Sequence, residues 1–165
     1  NSTELARAIK TTSVRLGDYV SSESCFHATK GLKTLKLRIE KHIENADNIF
    51  NYLKTKKIVK KIIYLPDQSN KFHKLWKKYH KHNNGLITFS IQKKKDISFF
   101  IDKLNLFKIG FSWGGYESLI IPINNLKPTK KMSKKNEYWF RIHVGLESSS
   151  DLINDLEKAF RNYEN

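Results

Sequence analysis

Apolar residues recur at intervals of three and four between residues 32 and 53, and this pattern constrains the fold more than any other feature of the chain. The series is Leu32, Leu35, Ile39, Ile43, Ala46, Ile49, Phe50 and Leu53. Such a spacing is that of one face of an α-helix. The sequence therefore predicts a long amphipathic helix, which must cover its apolar face with another layer of structure.

Shorter patterns predict the rest of that structure. Helical spacing indicates helices over residues 11–20, 22–31, 70–81 and 96–104, and a last helix that begins after Ser148, Ser149 and Ser150. β-Branched and alternating runs indicate strands over 57–65, 86–91, 106–111 and 138–144, and a lysine-rich loop lies between the last two, over 126–136. Because no helical pattern joins the last two strands, we predict an α+β fold: a mainly antiparallel four-stranded sheet, with helices packed on one face and a long connecting helix before it.

The last predicted strand carries different chemistry on its two faces. A period of two places Phe140, Ile142 and Val144 on one face and Trp139, Arg141 and His143 on the other. The first set is typical of a core. An arginine in the middle of a strand must find an anion or reach water, and its planar fork suits a carboxylate. A salt bridge to an acid of the protein itself and a bound ligand carboxylate both satisfy that requirement.

The segment 111–119, FSWGGYESL, places two adjacent glycines between apolar runs. Paired glycines cost backbone entropy and offer no side chain to pack, so they indicate a sharp bend or a close approach to another group. Ser112 before them is either a turn-capping hydroxyl or a ligand contact, and Trp113 is either packed on its own sheet or part of a site wall. Glu117 is interpreted as structural.

Composition limits the class of protein. The net charge is +15, from 31 basic against 16 acidic residues, which is compatible with nucleic-acid binding but equally with lysine-rich solvated faces. The single cysteine, Cys25, excludes an internal disulfide framework and favours a reducing, cytoplasmic setting; we expect it to be a small buried apolar side chain. No apolar run is long enough to cross a membrane, and the histidines lack partners at metal-ligand spacing, so we expect no metal site.

Three separated stretches carry a family resemblance: residues 31–46 (GLKTLKLRIEKHIENA), 111–120 (FSWGGYESLI) and 140–160 (FRIHVGLESSSDLINDLEKAF). Together, from about residue 15 to the end, they resemble the C-terminal part of the pyridoxal-phosphate enzymes of cysteine and methionine metabolism. Within that family, Trp113 and Tyr116 are most similar to the bacterial cystathionine β-lyases. Ser148, Ser149 and Ser150 depart from the acidic residues common there, and the lysine-rich stretch 127–135 departs from a loop near the substrate entrance.

The resemblance implies roles for particular residues. Arg141 matches the family's clamp for the substrate α-carboxylate, Ser112 helps to hold that carboxylate, and Trp113 forms an aromatic wall beside the substrate. The resemblance also implies that residues 32–165 are the C-terminal small domain. Residues 1–31 would then be the end of a large-domain segment with the connecting helix. Members form tetramers, so a homo-oligomer is expected.

The resemblance also implies what this chain lacks. In the family, a lysine in a Ser-x-Thr-Lys motif holds pyridoxal phosphate, and that motif lies upstream of everything that matches. Lys30 in His27-Ala28-Thr29-Lys30 only echoes it, because no serine stands at the required place. No catalytic residue is therefore assigned.

Three functional hypotheses remain. The first is the substrate-binding part of a cystathionine β-lyase, an enzyme that converts cystathionine to homocysteine, pyruvate and ammonia in methionine biosynthesis. We expect this part to be inactive without the missing large domain. A γ-synthase or γ-lyase of the same family is the alternative within this hypothesis. The second is a truncated, non-enzymatic remnant. The third is a basic nucleic-acid-binding module, the least favoured of the three.

Overall fold

The computed structural model describes residues 2–123 and 136–165. All but the last residue of the expected loop over 126–136, including its lysine-rich stretch, lies outside the described residues. The chain divides into two compact units, Asn1–Lys36 and Leu37–Asn165. The two units are described separately below.

The first unit consists mainly of two helices. Helix α1, Thr3–Leu16, begins where the Ser2 side chain accepts a hydrogen bond from the Leu5 amide, and it ends at Gly17 with a φ of 69°. Helix α2, Ser22–Lys33, is capped by Ser21 and runs through Gly31, where the sequence predicted its end. Neither helix contains a buried residue, and Cys25 is exposed, so its expected burial is wrong.

The second unit contains the long helix and a sheet. Helix α3 spans Leu35–Lys54, across the boundary between the units, and its buried face includes Ala46, Ile49 and Leu53. The remaining elements, in chain order, are β1 Val59–Ile63, α4 His73–Tyr79, β2 Leu86–Gln92, α5 Ser98–Ile101, β3 Lys108–Ile109, β4 Leu119–Pro122, β5 Glu137–His143 and α6 Ser149–Glu164.

The sheet has five strands in the order β1-β2-β5-β4-β3. Every neighbouring pair is antiparallel except β3 with β4, which run parallel. The predicted α+β class with a mainly antiparallel sheet is confirmed, but the sheet contains a fifth strand, β4, that the sequence did not indicate. A four-residue run ending in proline lacks the length and alternation by which strands are recognised.

Helices α3, α5 and α6 contribute to one core with the sheet. The Phe100 ring of α5 is tilted against the rings of Phe140 of β5 and Phe160 of α6, with centroids 5.2 and 4.9 Å apart respectively. These distances are those of favourable aromatic pairs. The sheet face that carries Phe140 and Ile142 is therefore the covered face, as the strand pattern predicted.

Buried polar groups hold the segments between these elements. Asp155 of α6 accepts hydrogen bonds from the backbone amides of Asn105, Leu106 and Phe107 at 2.8 to 3.1 Å. A buried carboxylate that receives several N–H groups is well compensated. This contact sets the path of the chain just before β3, which has only two residues where a longer strand was predicted.

Helix α4 differs from its prediction in burial. It is shorter than residues 70–81, and Leu75 and Tyr79 on its apolar side are exposed, with Trp76 tilted against His73 at 5.5 Å. Helical spacing finds the helix, but it does not decide whether the apolar side is covered. None of the helices in the described parts of the chain is long and apolar enough to cross a membrane.

Candidate functional site

Arg141 lies near the middle of β5, the central strand of the sheet. It is paired with Thr88 of β2 and Ile121 of β4. Because successive side chains of a strand alternate between faces, Arg141 lies on the face opposite Phe140 and Ile142. The side chain is half-buried, and its Nη2 donates a hydrogen bond to the carbonyl oxygen of Phe111 at 2.5 Å. Arg141 is therefore attached to the first residue of the segment 111–118, which is called the site loop below.

The site loop is a short crossover between parallel strands. It follows Gly110 at the end of β3 and enters β4, which pairs with β3 through only two residue pairs. Parallel crossovers usually need about a dozen residues or more. A connection as short as this one must turn sharply, and Gly114 provides the turn with a φ of 81°. The predicted bend is thus present at the first glycine of the pair.

The two glycines are not equivalent. Gly115 has no positive φ, and a Cβ atom built on either Gly114 or Gly115 would have nothing within 4 Å. Close approach to another described part of the chain is therefore not the reason for either glycine. The left-handed conformation is the reason for Gly114, since residues with a side chain rarely adopt it.

Ser112 and Trp113 lie between two attachments of the site loop to β5. Ser112 follows Phe111, which contacts Arg141, and Trp113 precedes Gly114, which contacts His143. Ser112 is exposed, and 57% of the Trp113 surface is exposed. Neither side chain hydrogen-bonds to another described residue. The structure brings all three predicted site residues to one region of the sheet, and it leaves the serine and tryptophan facing outward.

His143 contacts the middle of the site loop. The Gly114 amide nitrogen lies 3.1 Å from its Nε2 and 3.4 Å from its Nδ1, and the Gly115 carbonyl oxygen lies 3.0 Å from Nε2. Only 1% of the histidine is exposed. Because His143 follows Arg141 by two positions in a strand, both side chains lie on the same face of the sheet.

Burial lowers the pKa of the His143 imidazole below its usual value. The nearby His42 and Arg141 act in the same direction, whereas the hydrogen bond to Gly115 and the carboxylate of Glu147 oppose the shift. A histidine is half-protonated near pH 6.5 when unperturbed. The lowered pKa means that this ring is neutral at pH 7.

A buried network fixes the end of the site loop. Both the amide and the hydroxyl of Ser118 donate to the Glu147 carboxylate at 2.8 Å, and the Ser118 hydroxyl accepts from the Gly145 amide at 2.8 Å. Leu146 donates from its amide to the Tyr116 carbonyl at 2.9 Å. A Cβ atom on Gly145 would collide with the Tyr116 carbonyl, so this position requires glycine.

The long helix holds the turn that carries this network. The Asn45 amide group donates to the carbonyl oxygens of Gly145 and Glu147 at 2.9 and 2.7 Å, and His42 Nδ1 lies 2.8 Å from the Val144 carbonyl oxygen. Hydrogen bonds of this length to buried backbone carbonyls rigidify the segment they join. The end of the site loop is therefore linked to α3 as well as to the sheet.

Arg141 has capacity for an anion. None of the described carboxylates lies within ion-pair distance of it, and its Nε is buried and lacks a hydrogen-bond partner among the described residues. The Phe111 carbonyl takes one of the several N–H donors of the guanidinium. Of the two possibilities raised by the sequence, an internal salt bridge is not the one observed in the described part of the chain.

Lys30, the lysine whose sequence context echoes the family motif, does not fit the attachment of pyridoxal phosphate. Lys30 is exposed on α2, in the first unit, and beside it Thr29 donates to the Cys25 carbonyl at 2.8 Å within the helix. A Schiff-base lysine needs a desolvated or electrostatically tuned environment. In residues 2–123 and 136–165, no three histidine, cysteine or acidic side chains are grouped as ligands for a metal ion.

Sequence reasoning named Arg141, Ser112 and Trp113 as candidates but assigned no role to the residues that hold the site loop. His143 was placed on the same strand face as Arg141 and was interpreted as a solvated or stacking histidine rather than a metal ligand, and Ser118 and Glu147 were given no role. The signal for His143 was present in the sequence, because a period of two in the strand places it beside Arg141. The Ser118–Glu147 contact joins residues far apart in sequence, and no local pattern indicates it.

Comparisons with known proteins agree with the resemblance read from the sequence. The family model described as Cys/Met metabolism PLP-dependent enzyme matches residues 1–161. The L-alanine/L-glutamate racemase of Wolbachia pipientis wMel is 32% identical over 87% of this chain and 37% of the relative. The cystathionine beta-lyase MetC of Escherichia coli K12 is 30% identical over 88% of this chain and 38% of the relative.

A solved structure shows the same fold. Cystathionine gamma-lyase from Lactobacillus plantarum, complexed with L-serine, superposes with a TM-score of 0.83 at 28% identity. The match covers 99% of this chain and 45% of the solved one. The chain thus spans about two fifths of the length of these relatives.

Proposed function

Because this chain belongs to the family of PLP-dependent enzymes of cysteine and methionine metabolism, we propose that it supplies the substrate-carboxylate side of a cystathionine β-lyase site. Arg141 grips the α-carboxylate of the amino-acid substrate. Ser112 adds a hydroxyl to that contact, and Trp113 forms a wall beside the substrate. The product chemistry, from cystathionine to homocysteine, pyruvate and ammonia, belongs to the whole enzyme.

The observation that carries this proposal is the state of the Arg141 guanidinium. It is half-buried on a central strand, without an acidic partner among the described residues, and its Nε is buried and unpaired. A buried donor without an acceptor is costly, and a carboxylate is the acceptor whose two oxygens match the guanidinium fork. Binding a substrate carboxylate removes that cost.

Arg141 is also prepared to orient the carboxylate. Its contact with the Phe111 carbonyl links the guanidinium to the loop that carries Ser112 and Trp113. A carboxylate on Arg141 therefore arrives beside those two side chains rather than at an isolated cation. Holding the substrate by one end in this way fixes the position of its reacting carbons.

The choice of β-lyase within the family rests on Trp113 and Tyr116 in the site loop. The relatives carry names of different reactions, a racemase, a β-lyase and a γ-lyase, so overall identity does not favour one branch. A γ-lyase or γ-synthase is the alternative within the same family. A carboxylate clamp at Arg141 is common to all of these proposals, because each acts on an amino acid.

Further proposals concern the whole protein. The lysine that bears the cofactor lies on a large domain outside this chain, residues 1–31 are the end of that domain with its connecting helix, and residues 32–165 are the small domain. The assembly is a cytoplasmic homo-oligomer. A non-enzymatic remnant is the competing proposal, and the coding sequence next to this segment distinguishes the two, because only an enzyme needs an adjacent Ser-x-Thr-Lys motif.

The experiment uses the protein expressed from the complete coding sequence that contains this segment. Arg141→Lys keeps the charge but loses the fork, so we expect the KM for cystathionine to rise by about 10- to 100-fold, the loss of one charged hydrogen bond. Arg161→Lys is the control, because Arg161 is an exposed arginine paired with Glu157. Equal KM values for the two variants would exclude Arg141 as the carboxylate clamp.

A second measurement tests the assignment of the cofactor lysine. The 165-residue chain is mixed with pyridoxal phosphate, reduced with borohydride and digested for mass spectrometry. We expect no modification at a single lysine and no release of homocysteine from cystathionine. A stoichiometric pyridoxyl group on one lysine of this chain would contradict the proposal.

A further inference from the structure

His143 is the one described side chain that hydrogen-bonds to the middle of the site loop. Its Nε2 lies 3.0 Å from the Gly115 carbonyl oxygen, and the Gly114 amide nitrogen lies 3.1 and 3.4 Å from its two ring nitrogens. Nε2 cannot both accept from the Gly114 amide and donate to the Gly115 carbonyl. A neutral ring with its proton on Nε2 donates to Gly115 and leaves Nδ1, 3.4 Å away, as the acceptor for the Gly114 N–H.

The imidazole is held in place from two other sides. A Cβ atom on Gly85 would lie 3.3 Å from His143 Cε1 and 2.9 Å from the Val144 carbonyl oxygen, so the glycine at the start of β2 leaves room for the ring. The His42 ring of α3 lies 5.0 Å away between centroids. The ring is thus enclosed by α3, the start of β2 and the site loop.

The site loop has little else to fix its middle. Ser112 and Trp113 are exposed, and their side chains make no hydrogen bond within the described residues. Among residues 2–123 and 136–165, no atom beyond the adjacent residues lies within 4 Å of a Cβ built on Gly114 or on Gly115, so packing of those residues does not restrain the bend. The first residue is held by Arg141 and the last by Glu147, and the Tyr116 carbonyl accepts from the Leu146 amide. His143 is the described side chain that holds Gly114 and Gly115 between these attachments.

The charged groups around His143 favour a neutral ring. His42 faces it from α3, Arg141 from its own strand and Glu147 from the turn after β5. Burial, His42 and Arg141 lower its pKa, against the opposing effect of the Gly115 hydrogen bond and of Glu147. A neutral ring with the proton on Nε2 donates a hydrogen bond to the Gly115 carbonyl. A second proton, on Nδ1, would point toward the Gly114 N–H and would leave that N–H without an acceptor on the ring.

We propose that His143 is a positioning residue, which holds the Gly114–Gly115 bend against β5 and so keeps Ser112 and Trp113 beside Arg141. This inference rests on the proposed function, because it takes those three residues to surround the substrate. His143 itself does not touch the substrate. It acts through the backbone of the site loop.

The first test uses NMR on the 165-residue chain and needs no substrate. We expect the neutral His143 ring to show the Nε2–H tautomer. In His143→Ala we expect the Gly114 amide to exchange with solvent about tenfold faster, the loss of one hydrogen bond, and Trp113 to become more accessible to acrylamide. His143→Gln, which can still donate to Gly115, is expected to recover part of the protection.

The control and the state of the fold are measured in the same spectra. His82→Ala removes an exposed histidine that makes no hydrogen bond, ion pair or ring contact within the described residues, and it should leave Gly114 unchanged. Protected β5 amides show that a variant is folded, and His143→Gln serves if His143→Ala does not fold. Unchanged Gly114 exchange in a folded His143 variant would overturn the proposal.

The second test separates this proposal from the proposed function. In the protein expressed from the complete coding sequence, we expect His143→Ala to raise the KM for cystathionine about three- to tenfold with a smaller change in kcat. If Arg141→Lys raises the KM but His143→Ala does not, the positioning role is overturned while the clamp stands. If neither raises the KM although Gly114 loses protection, the proposed function fails instead.

Discussion

Replacing Glu147 with glutamine removes one oxygen acceptor from the network that fixes the end of the site loop. In the native protein, both carboxylate oxygens receive a hydrogen bond from buried Ser118, one from its amide and one from its hydroxyl. A glutamine keeps one oxygen and presents an NH₂ group in place of the other. One of the two Ser118 donors then has no acceptor, and the remaining bond is between neutral groups.

The size of the effect follows from these two changes. A hydrogen bond to a charged group contributes about 1.5–3 kcal/mol and a neutral one about 0.5–1.5 kcal/mol. Losing one charged bond and weakening the other costs about 3 kcal/mol, and donation from the new NH₂ group to the Ser118 hydroxyl returns about 1 kcal/mol. We therefore expect Glu147→Gln to lower the free energy of unfolding by about 2–3 kcal/mol.

Urea unfolding of the 165-residue chain measures this change. Tryptophan fluorescence is the suitable signal, because Trp76, Trp113 and Trp139 all belong to the second unit. Glu117→Gln is the matched control: Glu117 is exposed, makes no hydrogen bond or ion pair within the described residues, and should change stability by less than about 0.5 kcal/mol. Equal unfolding midpoints for the two variants would refute the reasoning.

Two further predictions concern single positions. Gly114→Ala places a side chain on a residue with positive φ and should lower the free energy of unfolding by about 1–2 kcal/mol. Gly115→Ala should leave that free energy unchanged or raise it by up to about 1 kcal/mol. The same urea assay compares the two variants, and equal destabilisation would contradict the difference in backbone conformation. Hydrogen bonds from Lys56 and from Tyr52 lower the pKa of Glu157 from 4.5 to about 2, so this carboxylate stabilises the fold above pH 4.5 and loses that effect as the pH falls toward 2. At most about 3 kcal/mol is involved, and Glu157→Gln should flatten the stability profile between pH 5 and pH 2, which an unchanged slope would disprove.

Periodic patterns predicted the elements that bury one continuous face. The three-and-four spacing through Ala46, Ile49 and Leu53 gave α3, and the alternation around Phe140 and Ile142 gave β5 with the correct face toward the core. Burial of apolar side chains dominates the energetics of such elements, so their pattern survives in the sequence. The class of fold followed from them.

Elements held by distant polar contacts could not be predicted in the same way. β3 has two residues, and the chain before it is set by Asp155, which lies about fifty positions further along the sequence. Pairing between β3 and β4 depends on a short crossover that turns at Gly114. Such contacts leave single polar residues in the sequence, without a period that would reveal their partners.

The site was predictable to the same extent. Arg141 became a candidate because a cation in the middle of a strand needs an anion or water, and the double glycine drew attention because it costs entropy. His143, Ser118 and Glu147 carry ordinary residue types at ordinary positions. Their importance comes from what they touch across the sheet, which only the folded chain shows.

The position of β5 between two antiparallel neighbours bears on how sites of this kind diversify. The backbone that carries Arg141 cannot shift without breaking two ladders of backbone hydrogen bonds, whereas the crossover beside it is attached at a few points. If Arg141 is the carboxylate clamp that we propose, substitutions at exposed positions such as Ser112 and Trp113 alter which side chain a substrate meets, while the backbone beneath the clamp stays in place. One scaffold can in this way host several reactions on amino acids.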